Sequence, residues 1–461
     1  MHDTPSKSSA DLIRLRPRLE HLVLQACSEP LPTTQPASAS RRGRPLLLPA
    51  LHLWLALLIS MLSGMQNYQD LWRTLRSRSI GPFQPIALTD DAVVKRLRQA
   101  GIEPLSVLFT RISQLVATFL SPLPPALPVS LAAFASKIVA IDETTWDAVR
   151  RQLCHLRHVP AGDPALSPGK LAARFDVRLQ QWEWLQFRSS AQANCKVEIC
   201  SFLQGLPIWS LLLFDLGYFS FPWFDSLTQM HSWFITRSRQ KTSYQIVHTF
   251  YRHEGILDAL VWMGTSHRAH TGHLLRLVRY FDGTDLRMYV TNVLDPRQLS
   301  LPDIARLYAR RGDIELAFLT LKEHLNLHHW WSAHTLLMQQ QVLIVLIVAQ
   351  LLQAMRMQIA FEASIDPFEV SLPLLARALP QFLRHREDLV EWVLRSGKDT
   401  GFIRPSSRIV LRLPEISCDA LSFPLTPLKL TRPARYVEYV PTPKKSSRPK
   451  KKSLNISNPS P

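Results

Sequence analysis

Two apolar runs in this sequence stop on a carboxylate: Ile138-Val-Ala-Ile-Asp142-Glu-Thr-Thr and Leu211-Leu-Leu-Phe-Asp215-Leu-Gly-Tyr-Phe. An acid that follows four or five apolar residues stands at the end of a buried strand, where its charge is costly to bury without a compensating cation. Two such acids brought together repel one another. A divalent cation relieves both costs, because Mg²⁺ prefers carboxylate oxygen and keeps several of its waters. Taken singly, each acid reads equally well as a loop-opening or helix-capping residue.

A third carboxylate lies in Tyr308-Ala-Arg-Arg-Gly-Asp-Ile-Glu-Leu-Ala-Phe-Leu-Thr-Leu-Lys322. On one helix turning about 100° per residue, with Tyr308 at zero, Arg311 falls near 300°, Glu315 near 340° and Lys322 near 320°. Leu307, Ile314, Phe318, Leu321 and Leu325 occupy the neighbouring arc, between about 220° and 280°. The spacing thus predicts a core face with a strip of Tyr, Arg, Glu and Lys along its edge. By itself that strip is also what a surface helix with an Arg311–Glu315 pair would show.

The elements that must position these groups follow from punctuation and period. Residues 1–45 form a basic, Pro- and Ser-rich segment and linker, including Arg42-Gly-Arg-Pro45. Residues 46–130 read as helical. Thr89 or Asp90 caps a helix that Gly101 ends and that carries Lys95, Arg96 and Arg98, cations suited to lying along phosphate. Pro122-Leu-Pro-Pro-Ala-Leu-Pro128 breaks the chain. From 131 to 335 the period changes: buried strands within 137–145 and 208–217, a hairpin about Gln180-Gln181, a strand at 233–237, and an antiparallel insertion over 240–300 around Asp282-Gly283-Thr284-Asp285. Helix returns over 336–400, and 401–461 is a Pro-rich, basic tail expected to be disordered.

Composition narrows the class. Fifty-four Lys+Arg against 36 Asp+Glu give a net charge of +18, which points to a polyanionic partner. Glycine, at 15 residues, is too scarce and scattered for a phosphate-binding glycine loop, and five cysteines without a C-x-x-C pair exclude a disulfide scaffold. No secretory leader is evident. The apolar stretches 46–61 and 336–352 are interrupted by Pro49 and His52 and by Gln339–Gln341, so they read as buried helices and no membrane partner is expected.

The pattern Tyr308-x2-Arg311-x3-Glu315-x6-Lys322 resembles the Y-(2)-R-(3)-E-(6)-K signature of the insertion-sequence-four group of DDE transposases. Asp142 in Asp-x-Thr, Asp215 in Asp-x-Gly-Tyr-Phe and Thr291-Asn-Val-Leu-Asp295 are similar to that group's flanks. The likeness spans roughly 130–355. It implies an α/β ribonuclease-H-like core, a mixed five-stranded sheet with helices and a β-rich insertion, beside a helical N-terminal DNA-binding domain. It implies that Asp142, Asp215 and Glu315 hold two Mg²⁺ (or Mn²⁺) for in-line phosphodiester displacement, while Tyr308, Arg311 and Lys322 grip backbone phosphate. The expected partners are double-stranded DNA at element ends and target, with a homodimer in the synaptic complex. The expected setting is the bacterial cytoplasm, on the nucleoid. The activity implied is cleavage and strand transfer in cut-and-paste transposition. Its rivals are a domesticated, non-catalytic DNA-binding protein and a generic nuclease of the same fold.

Some residues depart from that pattern. Glu143 stands where a small residue is usual, so the metal shell is expected to differ, and Ser189–Lys196 lacks an expected Asp or His. Trp262 and Trp233 are candidates for holding a flipped base, set against core packing. His267, His270 and His273, Cys154-His155-x2-His158 and Cys195-x4-Cys200 are poor zinc patterns. His328, His329, Trp330 and Trp331 are placed either on DNA or against the next helix.

Overall fold

The computed structural model describes residues 25–26, 48–80, 83–145, 158, 169–188, 199–264, 269–327, 329–332, 334–385, 387–406 and 413–432. The helices that precede the sheet are α1 (Ala50–Leu62), α2 (Tyr68–Ser77), α3 (Asp90–Ala100) and α4 (Glu103–Leu120). Thr89 caps α3, its hydroxyl accepting from the Ala92 amide at 3.3 Å, and Gly101 closes the helix at φ +74°, a conformation that glycine adopts without steric cost.

The strands are β1 (Ile138–Thr145), β2 (Lys170–Asp176), β3 (Gln181–Arg188), β4 (Leu211–Phe214), β5 (Trp233–Arg237), β6 (Tyr244–His253), β7 (Ile256–Met263), β8 (Leu275–Phe281) and β9 (Leu286–Thr291). Among the described residues they form a single nine-stranded sheet ordered β3-β2-β1-β4-β5-β9-β8-β7-β6. β1 runs parallel to β4, and β4 parallel to β5. The parallel strands are sealed on both faces, as their unbroken apolar runs require. Ile138 and Ala140 face one core, and Val139 and Ile141 the other, with Phe202, Leu212 and Phe214. The crossover helix α5 (Phe221–Gln229) roofs the second face, stacking Phe224 on Phe234 at 4.8 Å.

The expected hairpin is present. The Asp176 carboxylate accepts from the Arg178 and Leu179 amides at 2.9 and 2.8 Å, fixing the turn between β2 and β3. The sheet does not end at five strands. The insertion is not a separate layer: β9 hydrogen-bonds antiparallel to β5, pairing Ile235 with Thr291 and Arg237 with Tyr289, so β6–β9 extend the same sheet. An unpaired β5 edge would leave a row of backbone donors and acceptors open, and β9 satisfies them.

The segment drawn from sequence as one straight helix is three pieces: α6 (Leu301–Ala309), α7 (Gly312–Leu319) and a π-turn, Thr320–His324. At the join the Arg311 amide donates to Tyr308 and the Asp313 amide to Arg310, both i to i−3. That tightening turns Arg311 relative to Tyr308, and the wider π-turn resets Lys322. The helix α8 (Thr335–Glu362) follows, with α9 (Leu372–His385) and α10 (Leu389–Ser396) packed around it. By length and composition α8 is apolar enough to cross a membrane, but its apolar window is wholly buried in the protein. Its glutamines make that burial affordable. Gln350 accepts from the Trp182 amide at 3.0 Å and donates to the Trp182 carbonyl and the Ser113 hydroxyl, while Gln340 donates to the Leu97 and Gly101 carbonyls. Residues of α1, α2, α4, α8 and one face of the sheet make one contiguous core.

Candidate active site

Asp142 lies within β1, just past the stretch Ile138–Ala140 that runs parallel to β4, Asp215 follows the last residue of β4, and Glu315 is carried on α7. What joins the three is Arg311. Its Nη2 lies 3.2 Å from Asp142 Oδ2 and 3.8 Å from Asp215 Oδ2, and its Nη1 donates to Glu315 Oε1. Both aspartate oxygens meet one nitrogen, so they are no farther apart than those two distances laid end to end. The cluster opens outward: side-chain exposure is 10% for Arg311, 21% for Asp142, 44% for Asp215 and 55% for Glu315. Asp142 and Arg311 therefore form the floor, and the other two acids form the mouth.

The electrostatics follow the same gradient. Burial raises the Asp142 pKa to about 6, reinforced by Glu315 and Asp215 and opposed by Arg311 and a hydrogen bond from the Glu143 amide. Burial disfavours the charged Arg311, but Asp142, Glu315 and Asp215 outweigh it and hold the guanidinium above its ordinary pKa. Tyr308 is buried against Tyr289, with ring centroids 4.8 Å apart; burial and the Asp215 charge push its phenol up.

Among the described residues no group of three or more His, Cys, Asp or Glu side chains is drawn together closely enough to hold a metal as it stands. The three acids are arrayed around a guanidinium instead. Their chemistry fits a hard divalent ion, since all are carboxylates converging on one positive charge. Glu143 is not among them. Neighbouring residues on a strand point to opposite faces, and Glu143 is held on the far face by Arg188 at 2.5 Å and Lys170 at 3.4 Å. The expected alteration of the acid cluster by Glu143 is thereby corrected.

Arg311, assigned from sequence to DNA phosphate, is buried here in contact with carboxylates. Lys322 lies at the π-turn and, with Thr144 and Thr145 at the end of β1, lines a small cavity. Lys95 and Arg98 are exposed on α3, whereas Arg96 is half-buried and its pKa is lowered by that burial. Of the two candidate tryptophans, Trp262 is buried and Trp233 half-buried. Trp262 is buried with Phe250, Leu260 and Leu274 beneath Leu421, Phe423 and Leu428. Trp233 stands at the start of β5, the end remote from Asp215, packed on Trp209 and Phe134.

The histidine and cysteine patterns build no metal site among the described residues. His273 bonds Asp225 at 2.9 Å and Cys200 is an exposed free thiol, while His267, Cys154, His155, Cys195 and His328 lie outside the described residues, as do 1–24, 433–461 and Ser189–Lys196. Trp331 packs edge-on against Tyr68. One residue escaped the sequence reading: Arg237, the last of β5, follows the partner of Phe214 in the register and so adjoins Asp215. The signal was a cation closing an apolar strand, the same pattern that marks the aspartates.

Fold and cluster define a mixed α/β domain that gathers three carboxylates, one from within β1, one from the end of β4 and one from a helix. Residues 134–352, which include all three, match the family described as the transposase DDE domain. Among solved structures, a piggyBac transposase synaptic complex with hairpin DNA, determined by cryo-EM, is similar at 12% identity and a TM-score of 0.36, over 80% of this chain and 77% of that one. No curated protein matches the chain.

Proposed function

We propose that this protein is a bacterial transposase of the insertion-sequence-four group, with a ribonuclease-H-like core, which binds the inverted ends of its element and cuts and transfers DNA strands. The observation that carries the reading is the meeting of Asp142, Asp215 and Glu315 on one cation inside the segment that matches the transposase DDE domain. Two divalent ions, Mg²⁺ or Mn²⁺, held by these three carboxylates would supply Lewis acidity at the attacking and leaving oxygens of a phosphodiester. The chain's own part is to hold three acids at one mouth and to place cations beside it. Arg237 and Lys322 are the cations best positioned for phosphate, and Tyr308 packs the wall next to Asp215. Lys95, Arg96 and Arg98 on α3 are assigned to DNA binding in the N-terminal helices. A homodimer bridging two ends, working on the nucleoid, completes the reading.

The test is cleavage of DNA bearing the element's ends, with and without Mg²⁺, by wild type and Asp142→Ala. Binding retained with cutting lost in the variant supports the enzyme. Wild type that binds its ends and never cuts them supports a domesticated DNA-binding protein. Equal cutting of DNA without those ends supports a generic nuclease.

A further inference from the structure

Arg311 is a cation in a strongly basic chain, yet the fold surrounds it with acids and keeps it from any outside anion. Three carboxylates around one guanidinium leave a local excess of negative charge, which Arg311 partly offsets and which draws divalent cations in. Once such cations are held by the same oxygens, a guanidinium in contact with them is repelled. Arg311 sits at the start of α7, on the tightened turn that follows α6, and its neighbours Asp215 and Glu315 form the solvent-facing mouth. A long arginine released from the floor reaches that mouth, where phosphate oxygens match its planar fork as well as carboxylates do.

We propose that Arg311 occupies the carboxylates of Asp142, Asp215 and Glu315 in the free protein and trades them for a DNA phosphate when divalent cations bind, making metal and DNA binding mutually dependent. The inference rests on the metal-binding reading of the three acids. Without DNA, Arg311 competes with the cation for the carboxylates. With DNA, the freed guanidinium has a new anionic partner, so each ligand strengthens the other by the same factor.

The experiment titrates the full chain with Mn²⁺, reading free Mn²⁺ by electron paramagnetic resonance, with and without a short double-stranded oligonucleotide at low salt. Wild type should bind Mn²⁺ weakly alone and about tenfold more tightly with the oligonucleotide, a coupling of ordinary size. Arg311→Gln should bind Mn²⁺ about tenfold more tightly than wild type without DNA and lose most of the DNA dependence. Arg311→Lys, which keeps the charge, should stay close to wild type, and circular dichroism checks that each variant folds. A merely structural arginine predicts the opposite, weaker Mn²⁺ binding in Arg311→Gln. That result, or no change, with Asp142→Asn still abolishing Mn²⁺ binding, overturns the exchange and leaves the metal site standing. Wild-type Mn²⁺ binding that Asp142→Asn does not alter overturns the metal reading itself, and the exchange with it.

Discussion

Asp142 sits where ionisation is opposed by the fold, so neutralising it should stabilise the free protein. The side chain is four-fifths buried, and its pKa stands at about 6 against an ordinary 3.8. A gap of about two pH units, at about 1.4 kcal/mol each, means that its charge costs the folded state on the order of 3 kcal/mol once ionisation is complete. The folded pKa is the higher one, so this handicap is absent below about pH 4, grows as pH rises through 6, and is full above it. Asp142→Asn keeps the shape, removes the charge and leaves Arg311 its contacts with Glu315 and Asp215. In metal-free buffer the variant should be more stable than wild type by up to about 3 kcal/mol at pH 8, and equal to it near pH 4. Urea denaturation in EDTA at both pH values measures the difference. A variant no more stable than wild type at pH 8, or an advantage that persists undiminished at pH 4, would refute the reasoning. On the proposed function the same variant should be inactive, which would make Asp142 a site where function is retained against stability.

Three further outcomes follow from buried groups elsewhere. Arg276 and Asp258 form a bidentate pair at 2.7 and 2.6 Å with almost no exposure, so Arg276→Met should cost about 3–5 kcal/mol in chemical denaturation, and adding Asp258→Leu should recover much of it. His52 is fully buried, stacked on Phe83 at 4.7 Å, and burial lowers its pKa. Below about pH 6.5 the unfolded chain takes up a proton that the folded ring resists, so wild type should lose stability on acidification faster than His52→Phe; parallel pH curves would contradict this. Trp262→Ala should remove about 3–5 kcal/mol of packing and loosen residues 421–428 from the insertion strands, seen as faster limited proteolysis there; an unchanged digestion pattern would deny that packing role.

The strand-borne acids were legible because a buried strand writes itself as an uninterrupted apolar run, and Asp142 and Asp215 each interrupt one. Glu315 was legible from its spacing to Arg311, a short-range relation that survives any helix. The destination of Arg311 was not. A wheel treats 308–322 as one straight cylinder, while the chain tightens at Arg310–Arg311, beside Gly312, and widens at Thr320–His324, where no proline or glycine announces it. The pairing of β9 with β5 was equally hidden, since it joins residues more than fifty apart through backbone groups that every residue shares. The opposite facing of Glu143 lay in plain sight, because alternation along a strand fixes it once Asp142 is placed.

The way α8 is embedded has a mechanical meaning. One face of it meets α1 and α4, another meets the sheet, and the Gln350 amide touches both Ser113 of α4 and Trp182 of β3. A shared spine of this kind ties the N-terminal helices to the strands that carry Asp142 and lead to Asp215. On the proposed function, DNA gripped by those helices would be held at a set offset from the acid cluster, like stock in a jig, and the offset would be built by the same residues that keep the protein folded.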